Sequence, residues 1–331
     1  MKKRKTMMIL ILVLVMLVFA LIIAGAIEQK SDKNEAVHMD DKKIAVALSE
    51  IDSENPWRVA QITSFINAAA DRGYEFIYDD TIDKTEEGQI KDIENILAQS
   101  VDYLAVVPYN DTVLSKTINL VKETDTQLIL LETDWENIAA SDYLTMICTD
   151  YFREGQICAD ILNEHFKEAE VRILEVVGDT ESSVARKRAD GFHQRLKQYS
   201  NMIIVDHIIG NFDRVTAEKS MEEFISSKHT QYDAIVAYSD EDGLGVLQAL
   251  KVAGMNGELK PIVSINGVQD VLKAIIAKEY YATVESNPNI GTIVMHVIAS
   301  NERGYHPAKQ VMVPYNIYRS DNVMEQYDNA Y

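Results

Sequence analysis

From Lys43 onward, short apolar runs alternate steadily with longer amphipathic stretches, and this rhythm limits the folds available to the chain. The runs Ile44–Leu48, Tyr74–Tyr78, Tyr103–Val107, Gln127–Leu131 and Leu144–Cys148 read as strands. Between them lie helices predicted over Trp57–Arg72, Glu86–Gln99 and Asp111–Lys122. Asp150 then caps a helix running to Phe166, and the alternation restarts. Its second set of strands is Arg172–Val177, Met202–Ile208, Ala234–Tyr238, Ile262–Ile265 and Ala282–Val284, with helices over Ser182–Lys197, Arg214–Ser227, Asp242–Val252 and Val268–Lys278. Strands that are apolar throughout, rather than every second residue, suit parallel sheets covered on both faces. Alternation of this length implies right-handed crossovers. The strands are too many for one compact sheet, so the class expected is α/β, with two doubly wound parallel-sheet lobes.

The first unit, KIAVALSEIDSENPWRVA, carries the clearest functional hint. Its strand leaves the sheet in the polar loop Ser49–Asn55 and enters a helix at Pro56. Asn55 suits the cap, and proline suits the first helical position, where a missing N–H costs nothing. Trp57 and Arg58 therefore stand at the carboxyl end of the first parallel strand, the edge at which open α/β sheets take ligands. A tryptophan packing the helix onto the sheet is the competing reading.

The N-terminus reads Lys2-Lys3-Arg4-Lys5, followed by an uncharged apolar run from Met7 to Ile27. At 1.5 Å per residue this run spans a bilayer core of roughly 30 Å. The basic cluster holds the start inside, so the rest is expected outside the cytoplasm. Two outcomes fit: an uncleaved membrane anchor, the expectation preferred here, or a signal peptide cut near Ala24-Gly25-Ala26, which leaves a periplasmic or secreted protein. Glu28–Asp41 is polar and aperiodic, a tether. The formal charge of the 331 residues is −20, and without the four N-terminal bases the remainder is more acidic still. Such a surface repels phosphate backbones and excludes nucleic acid as a partner. The two cysteines, Cys148 and Cys158, have no neighbour at metal-ligand spacing and read as small buried thiols.

Polar side chains collect just after strands. They are Ser53-Glu54 with Trp57-Arg58, Tyr109-Asn110, and Glu132-Thr133-Asp134-Trp135. The second set gives Asp179–Ser183 with Arg188, Asn211–Arg214, Ser239-Asp240-Glu241, Asn266 and Glu285-Ser286. Each has a plain alternative, Ser182, Asp213 and Asp240 as helix caps among them. Together they place acids, amides, arginines and aromatics at one edge of each sheet. Planar charged groups make paired hydrogen bonds to vicinal hydroxyls, and aromatic faces cover the C–H side of a sugar ring, so a small polyhydroxylated ligand is expected. Catalytic machinery is not expected. Ser183 lacks a Gly-x-Ser-x-Gly elbow, the histidines are scattered, and the Asp240-Glu241 carboxylates are sequence neighbours. No metal site, cofactor or catalytic residue is assigned.

Six motifs taken in order, SENPWR at Ser53–Arg58, SVARKRADGF at Ser183–Phe192, NFDR at Asn211–Arg214, YSDEDGLGVLQALKVAG at Tyr238–Gly254, INGVQD at Ile265–Asp270 and ATVESNPNIG at Ala282–Gly291, carry a resemblance. From about Lys42 to Tyr318 the chain resembles the type I periplasmic sugar-binding proteins of ABC transporters, the ribose/galactofuranose branch in particular. The resemblance implies a Venus flytrap: two lobes, joined by crossovers near Thr149, near Glu285 and around Tyr305–Pro314, closing on one sugar. It implies ligand contacts at Ser53, Glu54, Trp57, Arg58, Glu132, Thr133, Arg188, Phe212, Ser239, Asp240 and Asn266. Three of these depart from the family pattern: Glu132-Thr133 stands for an Asp-Arg pair, Ser239 for an Asn, and Asn266 for an Asp.

The organisation expected is a signal anchor or signal peptide over 1–27 and a tether over 28–41. An N-terminal lobe follows from 42–149 plus 286–307, and a C-terminal lobe from 150–285 plus 308–331. The function expected is binding of a monosaccharide-like ligand for an ABC permease. The alternative is a membrane-anchored sensor that signals to a receptor histidine kinase. A sugar-responsive repressor is excluded, because an apolar span stands where a DNA-binding helix-turn-helix would be.

Overall fold

The computed structural model describes residues 43–50, 56–79, 83–132, 138–180, 182–227, 230–255 and 260–331. The apolar N-terminal run, the cap Asn55 and the candidate contacts Ser53, Glu54 and Thr133 lie outside the described residues. Among the described residues no helix is long and apolar enough to cross a membrane.

The first set of elements is β1 (Ala45–Ser49), α1 (Pro56–Arg72), β2 (Glu75–Ile77), α2 (Glu86–Leu97), β3 (Tyr103–Val106), α3 (Asp111–Val121), β4 (Gln127–Glu132) and β5 (Thr145–Cys148). The second is α4 (Tyr151–Phe166), β6 (Val171–Val177), α5 (Ser183–Leu196), β7 (Met202–Ile209), α6 (Arg214–Ser227), β8 (Ala234–Ala237), α7 (Asp240–Val252), β9 (Ile262–Asn266), α8 (Gln269–Ile276) and β10 (Ala282–Glu285). Then come α9 (Ile290–Glu302), β11 (Gln310–Met312), β12 (Ile317–Arg319) and the short α10 (Val323–Gln326).

Among the described residues the strands form two six-stranded sheets, ordered β11-β5-β4-β3-β1-β2 and β12-β10-β9-β8-β6-β7. Every pairing is parallel except β10 with β12. The order reverses between β1 and β3 in one sheet and between β6 and β8 in the other, the switch points at which such sheets open a crevice.

The unbroken apolar strands have the reason expected. Along β1, Val46 and Leu48 enter one core while Ala45 and Ala47 enter another across the sheet. Along β6, Leu174 and Val176 face one core and Val171 and Ile173 the other. With both faces covered by helices, neither side of the strand can be polar. The caps Asp150 and Ser182 fall where the sequence puts them, accepting backbone N–H groups of α4 and α5, and the side chains of Thr85 and Asn110 do the same for α2 and α3.

Three elements differ from the sequence reading. Residues 290–302, for which no element was predicted, form α9, an apolar helix packed on α1. There the Gly291 N–H donates to Ser64 Oγ at 2.9 Å. Periodicity alone hides this helix because it is apolar almost all round. The last crossover is built from two three-residue strands. Gln310–Met312 pairs with β5 in the first sheet, and Ile317–Arg319 returns antiparallel to β10 in the second, so the chain crosses at 313–316. Three-residue strands carry too little pattern to be read from sequence. The two earlier crossings fall after Cys148 and after Glu285. Both cysteines are buried.

Candidate functional site

The carboxyl ends of the strands from both sheets open on one cavity of about 360 Å³, inside the range of roughly 300–1,000 Å³ usual for small-ligand sites. Its first-lobe wall comes from the start of α1 and the end of β4. Pro56 opens the helix, so Trp57 and Arg58 project from its first turn. The Arg58 guanidinium meets both carboxylate oxygens of Glu132, with Nη2 donating to Oε2 at 2.9 Å. Its Nη1 also donates to Gln61 Oε1 at 2.9 Å and lies 3.2 Å from Glu50 Oε2. Gln61 in turn donates to Glu132 Oε1 at 2.9 Å. Burial works against the Arg58 charge, but Glu132 and Glu50 outweigh it and hold the group above its ordinary pKa. The Arg58 guanidinium lies 5.0 Å from the centre of the Trp57 ring. The Trp57 indole donates to the Ser286 carbonyl at 2.6 Å.

The second-lobe wall is built on α4 and α5. Gly155 lets these helices touch backbone to backbone, since a Cβ there would strike the Arg188 carbonyl. That approach sets Arg188, which is 4% exposed, beside Glu154: Nε donates to Glu154 Oε2 at 2.8 Å and Nη1 to the Tyr238 carbonyl at 2.8 Å. Burial raises the Glu154 pKa, and Arg188 opposes that rise. The guanidinium sits 5.4 Å from the centre of the Tyr151 ring. Tyr151 also reaches across to the first lobe, its hydroxyl donating to Glu132 Oε2 at 3.4 Å. Burial, and then the charge of Glu132, raise the Tyr151 pKa far above the ordinary phenol.

Beyond β7 the backbone turns through two left-handed residues, Asn211 and Phe212, with φ of 61° and 58°. The Phe212 ring lies over Gly178, where any Cβ would overlap it. Glu132 (φ 71°) and Asn266 (φ 143°) are also at positive φ. Four strained non-glycine residues around one cavity are the pattern expected of a ligand site, where the surroundings hold a costly conformation in place.

Of the residues singled out in the sequence, Trp57, Arg58, Glu132, Arg188, Phe212, Ser239 and Asn266 line this cavity. Asp240 does not. It is fully buried and accepts from the backbone N–H groups of Gly267 (2.6 Å) and Val268 (2.8 Å), from Thr283 Oγ1 (2.7 Å) and from Ser264 Oγ. Burial raises its pKa and these donors oppose the rise. These bonds fix the turn after β9 that carries Asn266. The α7 cap is Ser239, whose Oγ accepts from Asp242 N–H at 3.0 Å. Glu241 faces the cavity instead, paired with Arg214 through bonds of 2.8 and 3.0 Å.

The cavity also takes Tyr151, Asp179, Ser182, Asn211, Ser286 and Tyr331. Asp179, Ser182, Asn211, Glu241 and Ser286 stand in the post-strand clusters visible in the sequence. Tyr151 was hidden behind the cap Asp150, and Tyr331 follows no strand. Among the described residues no cluster of three His, Cys, Asp or Glu side chains could hold a metal ion.

Comparison with known proteins agrees with this architecture. The Galactofuranose-binding protein YtfQ of Escherichia coli (strain K12) is 27% identical over 289 residues, 86% of this chain and 91% of that protein. The Ribose import binding protein RbsB of Bacillus subtilis (strain 168) is 23% identical over 249 residues, 75% of this chain and 78% of that protein. Among solved structures, a galactofuranose binding protein superposes with a TM-score of 0.77 at 27% identity, covering 86% of this chain and 98% of the other. The binding protein of an arabinose ABC transporter from Shewanella sp. ANA-3, solved with α- and β-L-arabinofuranose, gives 0.77 and 27%, covering 86% and 95%. The model of the periplasmic binding protein domain matches residues 44–304, and with two lobes facing one cavity the chain belongs to that family.

Proposed function

We propose that this chain is an extracytoplasmic solute-binding protein that closes its lobes on a neutral, monosaccharide-like ligand and presents it to a sugar ABC permease. The observation that carries the reading is the single cavity between the strand ends of both sheets, with the Phe212 ring and two self-paired arginines at its walls. An aromatic face covers the C–H side of a sugar ring. Arg58 with Glu132 and Arg188 with Glu154 offer donors and acceptors in fixed planes without a net positive charge, which suits hydroxyls better than phosphates or carboxylates. A ligand touching both lobes shifts the open–closed equilibrium by its differential affinity for the closed form, and a membrane partner reads that form. The relatives named above as a galactofuranose-binding and a ribose import binding protein support delivery over signalling.

Ser53, Glu54 and Thr133 complete the first-lobe contacts in this reading. The lobes comprise 42–149 with 286–312, and 150–285 with 313–331. Residues 1–27 hold the protein at the membrane, which fractionation with N-terminal sequencing tests: a mature soluble chain starting near Ile27 argues for a cleaved leader. No enzymatic step is assigned. Calorimetric titration with a monosaccharide panel tests the reading. Saturable one-to-one binding that Phe212→Ala weakens supports it, and binding indifferent to that change sinks it.

A further inference from the structure

Tyr331 stands where two hollows meet. One is the central cavity; the other is a side groove of about 510 Å³ between Val59 and Ala60 of α1 and the start of α8. Tyr331 lines both, together with Pro56, Glu241 and Val268. These side chains are the partition between the two spaces, and Tyr331 is the largest of them.

The tail holds this ring by specific bonds. After β12 the chain turns through α10 and a 3-10 turn over Tyr327–Asn329 back to α8. The Gln269 N–H donates to the Tyr331 carbonyl at 3.0 Å and Gln269 Nε2 to the Ala330 carbonyl at 3.3 Å. Gln269 follows directly on the Asn266–Val268 turn at the cavity, so the tail is anchored to a wall of the site. The ring packs against the second-lobe core. Its hydroxyl is buried and has no hydrogen-bond partner among the described residues. The charged groups acting on that hydroxyl are Asp240, Arg188, Glu241 and Glu154, of which Arg188 and Glu241 line the cavity. A tyrosine that merely filled space under α8 would have no use for a buried hydroxyl, which costs stability when left unpaired.

We propose that Tyr331 is the side wall of the ligand cavity: its ring separates the cavity from the groove and limits the occupant to monosaccharide size, and its hydroxyl meets a ligand oxygen. The size and hydroxyl assignments rest on the sugar-binding reading; the wall itself does not.

The test uses the full chain with Tyr331→Phe and Tyr331→Ala, each also carrying Val184→Cys as a reporter inside the cavity. The native cysteines are buried and therefore silent. With fluorescein maleimide, labelling of the reporter should be severalfold faster in Tyr331→Ala than in the Tyr331 parent, and unchanged in Tyr331→Phe. Equal rates in all three overturn the wall, whatever the ligand. In parallel, D-ribose, L-arabinose and D-galactose are titrated against lactose and sucrose. Tyr331→Phe should weaken monosaccharide binding by about three- to tenfold, the scale of one hydrogen bond. Tyr331→Ala should newly admit a disaccharide. Unchanged affinities and continued exclusion of disaccharides overturn the specificity role. A parent protein that binds no sugar in the panel overturns the sugar reading and with it the hydroxyl assignment, while the labelling rates still judge the wall.

Discussion

The indole nitrogen of Trp57 lies 2.6 Å from the carbonyl oxygen of Ser286, so a residue at the mouth of the cavity is tied to the strand by which the chain returns from the second lobe to the first. Trp57 both lines the cavity and is bonded to the crossover. The variants separate the two. Trp57→Phe keeps a ring at the cavity but leaves the buried Ser286 carbonyl without its donor, and should destabilise the protein by about 1–3 kcal/mol in denaturant titration. Trp57→Ala should in addition weaken ligand binding by about 1–3 kcal/mol. A phenylalanine variant as stable as the parent would remove the crossover role.

Arg188 and Glu154 are a buried pair, and removing one partner strands the other. Arg188→Met should cost about 3–5 kcal/mol of unfolding free energy, and combining it with Glu154→Leu should recover most of the loss. Urea titrations of the three proteins decide it. A single variant losing under about 1 kcal/mol would mean that the pair is far better hydrated than its burial implies.

Gly178 is needed because Phe212 occupies the space of its missing Cβ. Gly178→Ala should therefore lower ligand affinity about as much as Phe212→Ala does, by about 1–3 kcal/mol, through displacement of the ring rather than its loss. Calorimetry on both variants checks this, and an alanine at 178 with parental affinity would place the stacking surface elsewhere.

Asp92 gives a pH dependence of defined sign. Burial, opposed by the Ser49 hydroxyl 2.5 Å away and assisted by Asp79, pushes its carboxyl up to about 6. The unfolded chain ionises near 3.9. Between these values the folded state holds the extra proton, so Asp92 contributes no penalty below about pH 4 and a growing one as pH rises through 6. Asp92→Asn should stabilise the protein at pH 7.5, with the gain fading as pH falls from about 6 to 4. Melting curves of both proteins across that range check it; a gain that grows toward acid would reverse the assignment.

The fold was legible because burial on both sheet faces leaves a strong mark: strands such as Ala45–Ser49 and Tyr103–Val106 are buried along their whole length. What escaped was structure without such a mark. The helix 290–302 is apolar nearly all round, and Gln310–Met312 is too short to show a period. At the site, position after a strand found Trp57, Arg58, Arg188 and Phe212 at the cavity, since topology alone brings the carboxyl ends together. The same rule does not separate Asp240 from Glu241, because neighbouring residues at a helix start point different ways and only Glu241 of the two lines the cavity. It could not find Tyr331, which arrives from a tail 45 residues beyond the last post-strand cluster.

The central claim is that one neutral sugar binds between the lobes and draws them together. Small-angle scattering on the protein with and without saturating monosaccharide, chosen by titration of D-ribose, L-arabinose, D-galactose, D-xylose and D-fructose, tests it most directly. Closure should give a smaller radius of gyration with the binding sugar, and no change in Phe212→Ala at the same sugar concentration. A sugar that saturates the protein without compacting it, or that compacts both proteins equally, would contradict closure around this cavity.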